Sequence, residues 1–386
     1  MDLATVRSSF PPLERGLARF DGPGGSLVPR QVAHAVAEAM AWGMCQRGEV
    51  SEPDRLTEAT TLGARAAMGR LLGADPRGIV FGRSMTALTF DLARTLAQDW
   101  GPGDEVVVTR LDHDANIRPW VIAAERAGAT VRWLGFDPVT TELDDMRPLL
   151  TERTRLVAVT AASNLLGTRP DLGAIVTAAH AVGALVYVDA VHLVPHAPVD
   201  LGALGADFLA CSPYKFFGPH LGVLAAAPTL LESLHPDKLL PSTQAVPERF
   251  ELGTLPYELL AGVSAAVEFI ESLDGGMSAV EAHEAGLLRR LLAGLEELPD
   301  VVVHGCPARR TPTLLLTVDA VAPPDVQRRL AAEGVIAPAG SFYAIEASRH
   351  SGLGDAGGVR VGLSAYTCEA DVDRLLAALA AVVAER

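Results

Sequence analysis

Two rhythms of apolar and polar positions take turns along the chain. IVF (79–81), GPGDEVVVT, TVRWLGF, TRLVAVTAAS, LVYVDAV, ADFLACS and GVLAAA are short apolar runs that read as strands. Between them, ALTFDLARTLAQDW, IRPWVIAAERAGA and DLGAIVTAAHAVGA repeat apolar residues every three or four positions and read as helices. Strands alternating with helices at this spacing predict a parallel or mixed sheet covered on both faces. The pattern changes near residue 260. LLAGVSAAVEFIESL reads as a helix stopped at Asp274-Gly275-Gly276, and AVEAHEAGLLRRLLAGLEEL as a second helix. Strand-like VVVHG, TLLLTV and VRVGLS follow, then the amphipathic EADVDRLLAALAAVVAER. The expected division is an N-terminal segment, 1–20, on the small domain; a large domain, 21–262; and a small α+β domain, 263–386. The chain just after that segment is expected to reach the site near Gly24-Gly25.

Composition narrows the classes. The chain has 386 residues, of which 49% are hydrophobic, so it can bury a large core. Its net charge of −15, without a basic stripe, argues against nucleic-acid or anionic-membrane partners. No uncharged run is long enough to span a membrane, and MDLATVRSSFPPLERG carries no apolar leader core. Four scattered cysteines (Cys45, Cys211, Cys306, Cys368) suit a reducing cytoplasm and predict neither a metal site nor a disulfide framework. No HExxH helix marks a metallohydrolase. Only two of the 32 basic residues are lysines, Lys215 and Lys238, so any chemistry that needs an amine has two candidates.

Four segments place polar residues at strand ends, where open α/β sheets bind ligands. LVYVDAVH runs an apolar strand into Asp189, with His192 three residues on. Asp189 reads as a counter-ion for a protonated heterocycle or as a cap on the next turn. ACSPYKFFGPH sets Lys215 in apolar, aromatic surroundings, which depress an amine's pKa and suit it to a Schiff base. The other reading for either lysine is a snorkelling surface side chain, and it is preferred for Lys238. FGRSMTALTF is a strand, a turn and a helix start, where N–H groups with Ser84 and Thr86 suit a phosphate or simply form a cap. RLDHDANIRPW sets His113 between strand and helix, as a stacking ring, a proton carrier or a turn histidine. Together these parts match what pyridoxal phosphate needs: a Schiff-base lysine, an acid at the ring nitrogen, a phosphate cup and a stacking ring.

The series HDANIRPW, SNLLGT, VYVDAVH, SPYK and ELGT resembles the class V aminotransferase group of fold-type I pyridoxal-phosphate enzymes, close to the cysteine desulfurases. The resemblance runs from FDGPGGSLVP to VRVGLSAYTCEADVDRLL, and DGPGG, LDHDAN and YKFFGPH are similar to a desulfurase-like subgroup. It implies an α/β fold with a mostly parallel seven-stranded sheet. It implies that Lys215 forms the Schiff base, Asp189 holds the pyridine nitrogen protonated and His113 stacks on the ring. Asn164 and His192 would contact the ring's hydroxyl side. Met85, Thr86 and Ser212 would bind phosphate, and Gly253 and Thr254 would complete the phosphate cup of the partner subunit in a homodimer. Arg360 would grip the substrate α-carboxylate.

Two departures follow. Tyr214 stands where desulfurases often have histidine, although a phenol can still donate to phosphate. The loop AGSFYAIEASRHSGLGDAGGVR has no cysteine where desulfurases carry the persulfide-forming one. Phe342 and Tyr343 in that loop read as substrate contacts or as ordinary packing. The expected reaction is therefore β-elimination from an S-substituted cysteine, giving thiol, pyruvate and ammonia. The alternatives are decarboxylating deamination of a cysteine S-conjugate to an aldehyde, or transamination or epimerisation; similar enzymes of lincosamide-type antibiotic pathways divide between elimination and decarboxylating deamination.

Overall fold

The computed structural model describes residues 1–385. Ala18–Arg19 (β1) comes first. Ile79–Gly82 (β2), Glu105–Thr109 (β3), Thr130–Leu134 (β4), Thr154–Thr160 (β5), Leu185–Asp189 (β6), Phe208–Cys211 (β7) and Gly222–Ala226 (β8) follow. β2 to β8 build one seven-stranded sheet in the order β2-β8-β7-β6-β5-β3-β4. β8 runs antiparallel to both its neighbours, and the pairs among β3 to β7 are parallel. The sheet is mostly parallel, as the alternation predicts.

Successive strand residues face opposite sides, and here both sides are buried. Ile79, Phe81, Val157, Val159 and Val188 enter one core, while Val80, Val106, Val108 and Leu156 enter the other beside Trp120. Runs of Val, Ile and Leu are what a strand covered on both faces requires.

Arg30–Ala41 and Glu52–Leu72 are among the helices that escaped the periodicity. The second buries Thr57, Thr61 and Arg65 alongside small alanines, so its inner face does not read as apolar. Its start is explicit in the sequence all the same. Ser51 accepts from the Asp54 N–H and Asp54 accepts from the Ser51 N–H, a capping box.

The C-terminal third has its own sheet. Val301–His304 (β9), Thr313–Val318 (β10), Val335–Ile336 (β11), Ala339–Gly340 (β12) and Gly358–Gly362 (β13) follow in the chain. The order β12-β13-β10-β9 is antiparallel throughout. Helices Gly276–Glu296, Pro323–Ala332 and Glu369–Ala384 contribute Leu291, Leu330 and Leu375 to its core. Helix Tyr257–Ser272 stops just short of the glycine pair at 275–276, and Gly275, at φ 84°, is the N-cap of the next helix. The first twenty residues touch both units. β1 pairs with β11, whereas Phe10 packs on Phe217 and Phe269.

Candidate active site

β2, β3, β5, β6 and β7 all run the same way, so the segments after their carboxyl ends meet at one edge. A cavity of about 540 Å³ opens there. Thr86 follows β2, His113 follows β3, Asn164 follows β5, Asp189 ends β6 and Lys215 follows β7. All five line the cavity, together with Met85, His192, Ser212, Tyr214, Phe342, Tyr343 and Arg360.

Asp189 is buried, level with Thr160 on one side and Ala210 on the other. One of its oxygens accepts from the Val191 N–H at 2.9 Å. Burial pushes its pKa up to about 6, against the pull of that N–H and of Lys215. Lys215 sits on the tight turn Pro213–Lys215, and its Nζ donates to Pro23 O. Burial brings its pKa down to about 7, helped by Arg360 and opposed by Asp189. A neutral, nucleophilic amine is thus well populated near pH 7.

Arg360 arrives from β13 of the other sheet. Its Nη1 donates to Asn164 O at 3.0 Å, and the Phe342 ring lies 3.8 Å from its guanidinium carbon. Burial pushes it down to about 9. His113 Nδ1 accepts from the Ala115 N–H at 3.0 Å, and its ring lies 5.5 Å from that of Tyr343. Burial, then Lys215, brings His113 down to about 4, so the imidazole is neutral.

Ser84 caps helix Met85–Leu96 by accepting from the Ala87 N–H at 3.1 Å. The N–H groups of Met85 and Thr86 open that helix and have no intrahelical acceptor. Gly222, at the start of β8, passes so close that a Cβ there would overlap the Ser84–Met85 peptide. Asn164 Nδ2 donates to Phe342 O at 3.0 Å, and His192 Nε2 pairs with Thr313 Oγ1 at 2.9 Å. Tyr214 stacks on His220 with ring centroids 4.9 Å apart.

Gly253 and Thr254 are exposed and do not line this chain's own cavity. Sequence reasoning missed Pro23, Phe90, Asp114 and Arg118 on the wall. Asp114 and Arg118 lie inside HDANIRPW and pair with each other at 3.0 Å, so the segment itself held the signal. It also missed that Phe342 (φ 52°) and Tyr343 (φ 59°) both take the left-handed conformation, which a side chain disfavours. Asn164 and the Asp114 N–H hold the two carbonyls in place. The helix Ile345–His350 within this loop was not anticipated either. None of the four cysteines lines the cavity, and no cluster of potential metal ligands occurs among the described residues.

Known proteins share this architecture. The sequence profile described as Aminotransferase class-V matches residues 19–375. A probable cysteine desulfurase 2 of Mycobacterium leprae is 33% identical, the alignment covering 98% of this chain and 96% of that protein. The aminotransferase-like protein FGM3 of Gibberella zeae is 34% identical, covering 99% and 98%. The crystal structure of the cysteine desulfurase CsdA from Escherichia coli superposes with a TM-score of 0.88 at 27% identity, over 100% of this chain and 99% of that one. A profile match over most of the length, relatives aligned end to end and a shared fold lead to one conclusion: the chain belongs to the class V aminotransferase family of fold-type I, pyridoxal-phosphate-dependent enzymes.

Proposed function

We propose that this enzyme cleaves the C–S bond of an S-substituted cysteine by β-elimination, releasing a thiol, pyruvate and ammonia. One observation carries the reading. The cavity joins a lysine amine, a buried carboxylate and an arginine, yet none of the four cysteines lines it. Without a thiolate at the site, sulfur has no acceptor on the protein. That separates the reading from cysteine desulfuration.

The residues fit the cofactor. Asn164 Oδ1, His192 Nδ1 and Arg360 Nε are buried on lining residues without a protein partner, as expected where a polar ligand belongs. The opening N–H groups of helix Met85–Leu96, with Thr86 and Ser212, suit a phosphate. Tyr214, which lines the cavity beside Lys215, would add a hydroxyl donor to that site. Asn164 and His192 would contact the hydroxyl side of the ring and His113 its face.

When bound, the pyridoxal ring supplies an electron sink for the pair left at Cα. Asp189 would hold a proton on the ring nitrogen, its carboxylate staying ionised beside that positive charge. Arg360 grips the substrate carboxylate through two parallel N–H bonds. The Lys215 amine takes the Cα proton as general base. The C–S electron pair leaves with sulfur as thiolate, and water converts the released enamine to pyruvate and ammonia. Phe342 and Tyr343 form an apolar wall for the S-substituent.

The working unit in this reading is a cytoplasmic homodimer. Exposed Gly253 and Thr254 reach the partner's phosphate site. Leu239, Leu240 and Leu252 are exposed in the same stretch of chain, and Arg47 ties the segment after exposed Trp42 to Glu248 at 3.0 Å. Exposed apolar residues concentrated in this way suit an interface. No helix among the described residues is long and apolar enough to cross a membrane.

The test is a panel of S-alkyl and S-aryl cysteines given to the holoenzyme. Pyruvate and thiol are expected in equal amounts. Release of neither sinks the proposal, and carbon dioxide in place of pyruvate assigns decarboxylating deamination instead.

A further inference from the structure

Behind the cavity stands a buried titratable pair that the proposed reaction does not use. His192 lines the cavity, and His196, four residues later, sets its ring against that of His192 at 71° with centroids 5.1 Å apart. His196 Nδ1 lies 2.9 Å from Glu284 Oε2, and the two side chains are only 4% and 2% exposed. Glu284 Oε1 has no partner at all.

The location is specific. Glu284 lies on helix Gly276–Glu296, between Val280, which packs in a core of the large sheet, and Leu287, which packs in the core of the small one. The pair therefore crosses the seam between the two units. Thr313, on β10, holds His192 from the same side at 2.9 Å. Stability alone is a poor account of this arrangement. Desolvation offsets much of what a buried ion pair gains, and an unsatisfied carboxylate oxygen adds a further cost.

We propose that His196 and Glu284 are a positioning pair for His192: across the seam between the units they fix its ring so that Nε2 stays on Thr313 and Nδ1 stays free for the cofactor. The inference rests on the reading above that His192 faces bound pyridoxal phosphate. The charged groups around His192 are His196, Lys215 and Arg360, and all three, with burial, disfavour its protonation. Glu284 faces His196 and Glu281. Burial above all keeps His192 neutral, while Glu284 holds the neighbouring His196 ring in place. A neutral ring has one N–H, so whichever role Nε2 takes with Thr313 Oγ1, Nδ1 keeps the other for the ligand.

The experiment reads the holoenzyme's visible cofactor band against pH and the dissociation constant for pyridoxal phosphate. It compares wild type, Glu284→Gln, His192→Gln and the two combined. Glu284→Gln should move the band's pH midpoint and weaken cofactor binding about tenfold, an ordinary coupling for contacting buried groups. Added to His192→Gln, it should change neither. An unchanged midpoint and affinity in Glu284→Gln, or the same change in the His192→Gln background, overturns the proposal. A His192→Gln protein identical to wild type removes the placement of His192 at the cofactor, and the inference with it. Should Glu284→Gln not fold, the double variant His196→Leu/Glu284→Met refills the space with apolar volume. Folded, it should show the same midpoint shift, and a wild-type spectrum there also overturns the proposal.

Discussion

The proposed reaction concentrates its chemistry in one atom, the amine nitrogen of Lys215. This residue is one of two lysines, and the other, Lys238, donates to Ser242 O at 2.8 Å in its own loop. Lys215→Ala should abolish the visible band formed on adding pyridoxal phosphate, while Lys238→Ala should leave it intact, as read by absorbance. The depressed pKa of Lys215, about 7, sets a pH dependence with a definite sign. Only the neutral amine attacks an aldehyde. Below pH 7 the amine is protonated, so the rate of cofactor uptake by cofactor-free protein should fall about tenfold per pH unit. Above pH 7 it should level off. Stopped-flow absorbance measures this, and a flat profile from pH 5 to 7 would contradict it. At this scale the sequence was informative because strand ends are recognisable: Asp189, Lys215 and His113 each follow an apolar run. Arg360 was reachable only through resemblance, since nothing local to VRVGLS points at a cavity.

At the scale of elements, the turn proposed to bind phosphate depends on a close approach between β8 and the start of helix Met85–Leu96. Gly222→Ala would drive a methyl group into the Ser84–Met85 peptide. The turn must shift, and cofactor affinity should fall at least tenfold by fluorescence titration, because two helix N–H groups are displaced together. Gly63 is the opposite case. It lies exposed inside helix Glu52–Leu72 with nothing near its missing Cβ. Gly63→Ala should stabilise the protein by about 0.5–1 kcal/mol, raising Tm without touching cofactor binding. The sheet was legible because strands buried on both faces are written as apolar runs. Glu52–Leu72 was not, because its inner face carries threonines and Arg65, whose guanidinium donates bidentately to Glu251 at 2.8 Å. A buried ion pair erases the periodicity that signals a helix.

At the scale of the molecule, cofactor affinity and association should be linked in the proposed dimer. Leu240, which is 98% exposed, is a place to test this. Leu240→Glu should shift light-scattering mass toward the monomer and weaken pyridoxal phosphate binding in parallel. A variant that stays dimeric, or a monomer that binds as tightly, would argue against shared phosphate sites. The two units are also joined by polar bonds at the cavity. Arg360 bonds to Asn164 O, and His192 pairs with Thr313. Relative movement of the units would therefore be felt at the same residues proposed to hold substrate and cofactor.

The chain's own pattern determined the layered α/β architecture, the strand ends that carry Asp189 and Lys215, and the lack of a cysteine in the 339–358 loop. Those are local properties, readable because periodicity, strand termini and residue identity need no knowledge of distant partners. Tertiary structure alone decided that Phe342 covers Arg360, that Phe342 and Tyr343 take left-handed backbone angles, and that His196 meets Glu284 across the seam. Each depends on segments far apart in sequence being forced together by burial of two cores, and no local pattern records which distant side chain will be waiting there.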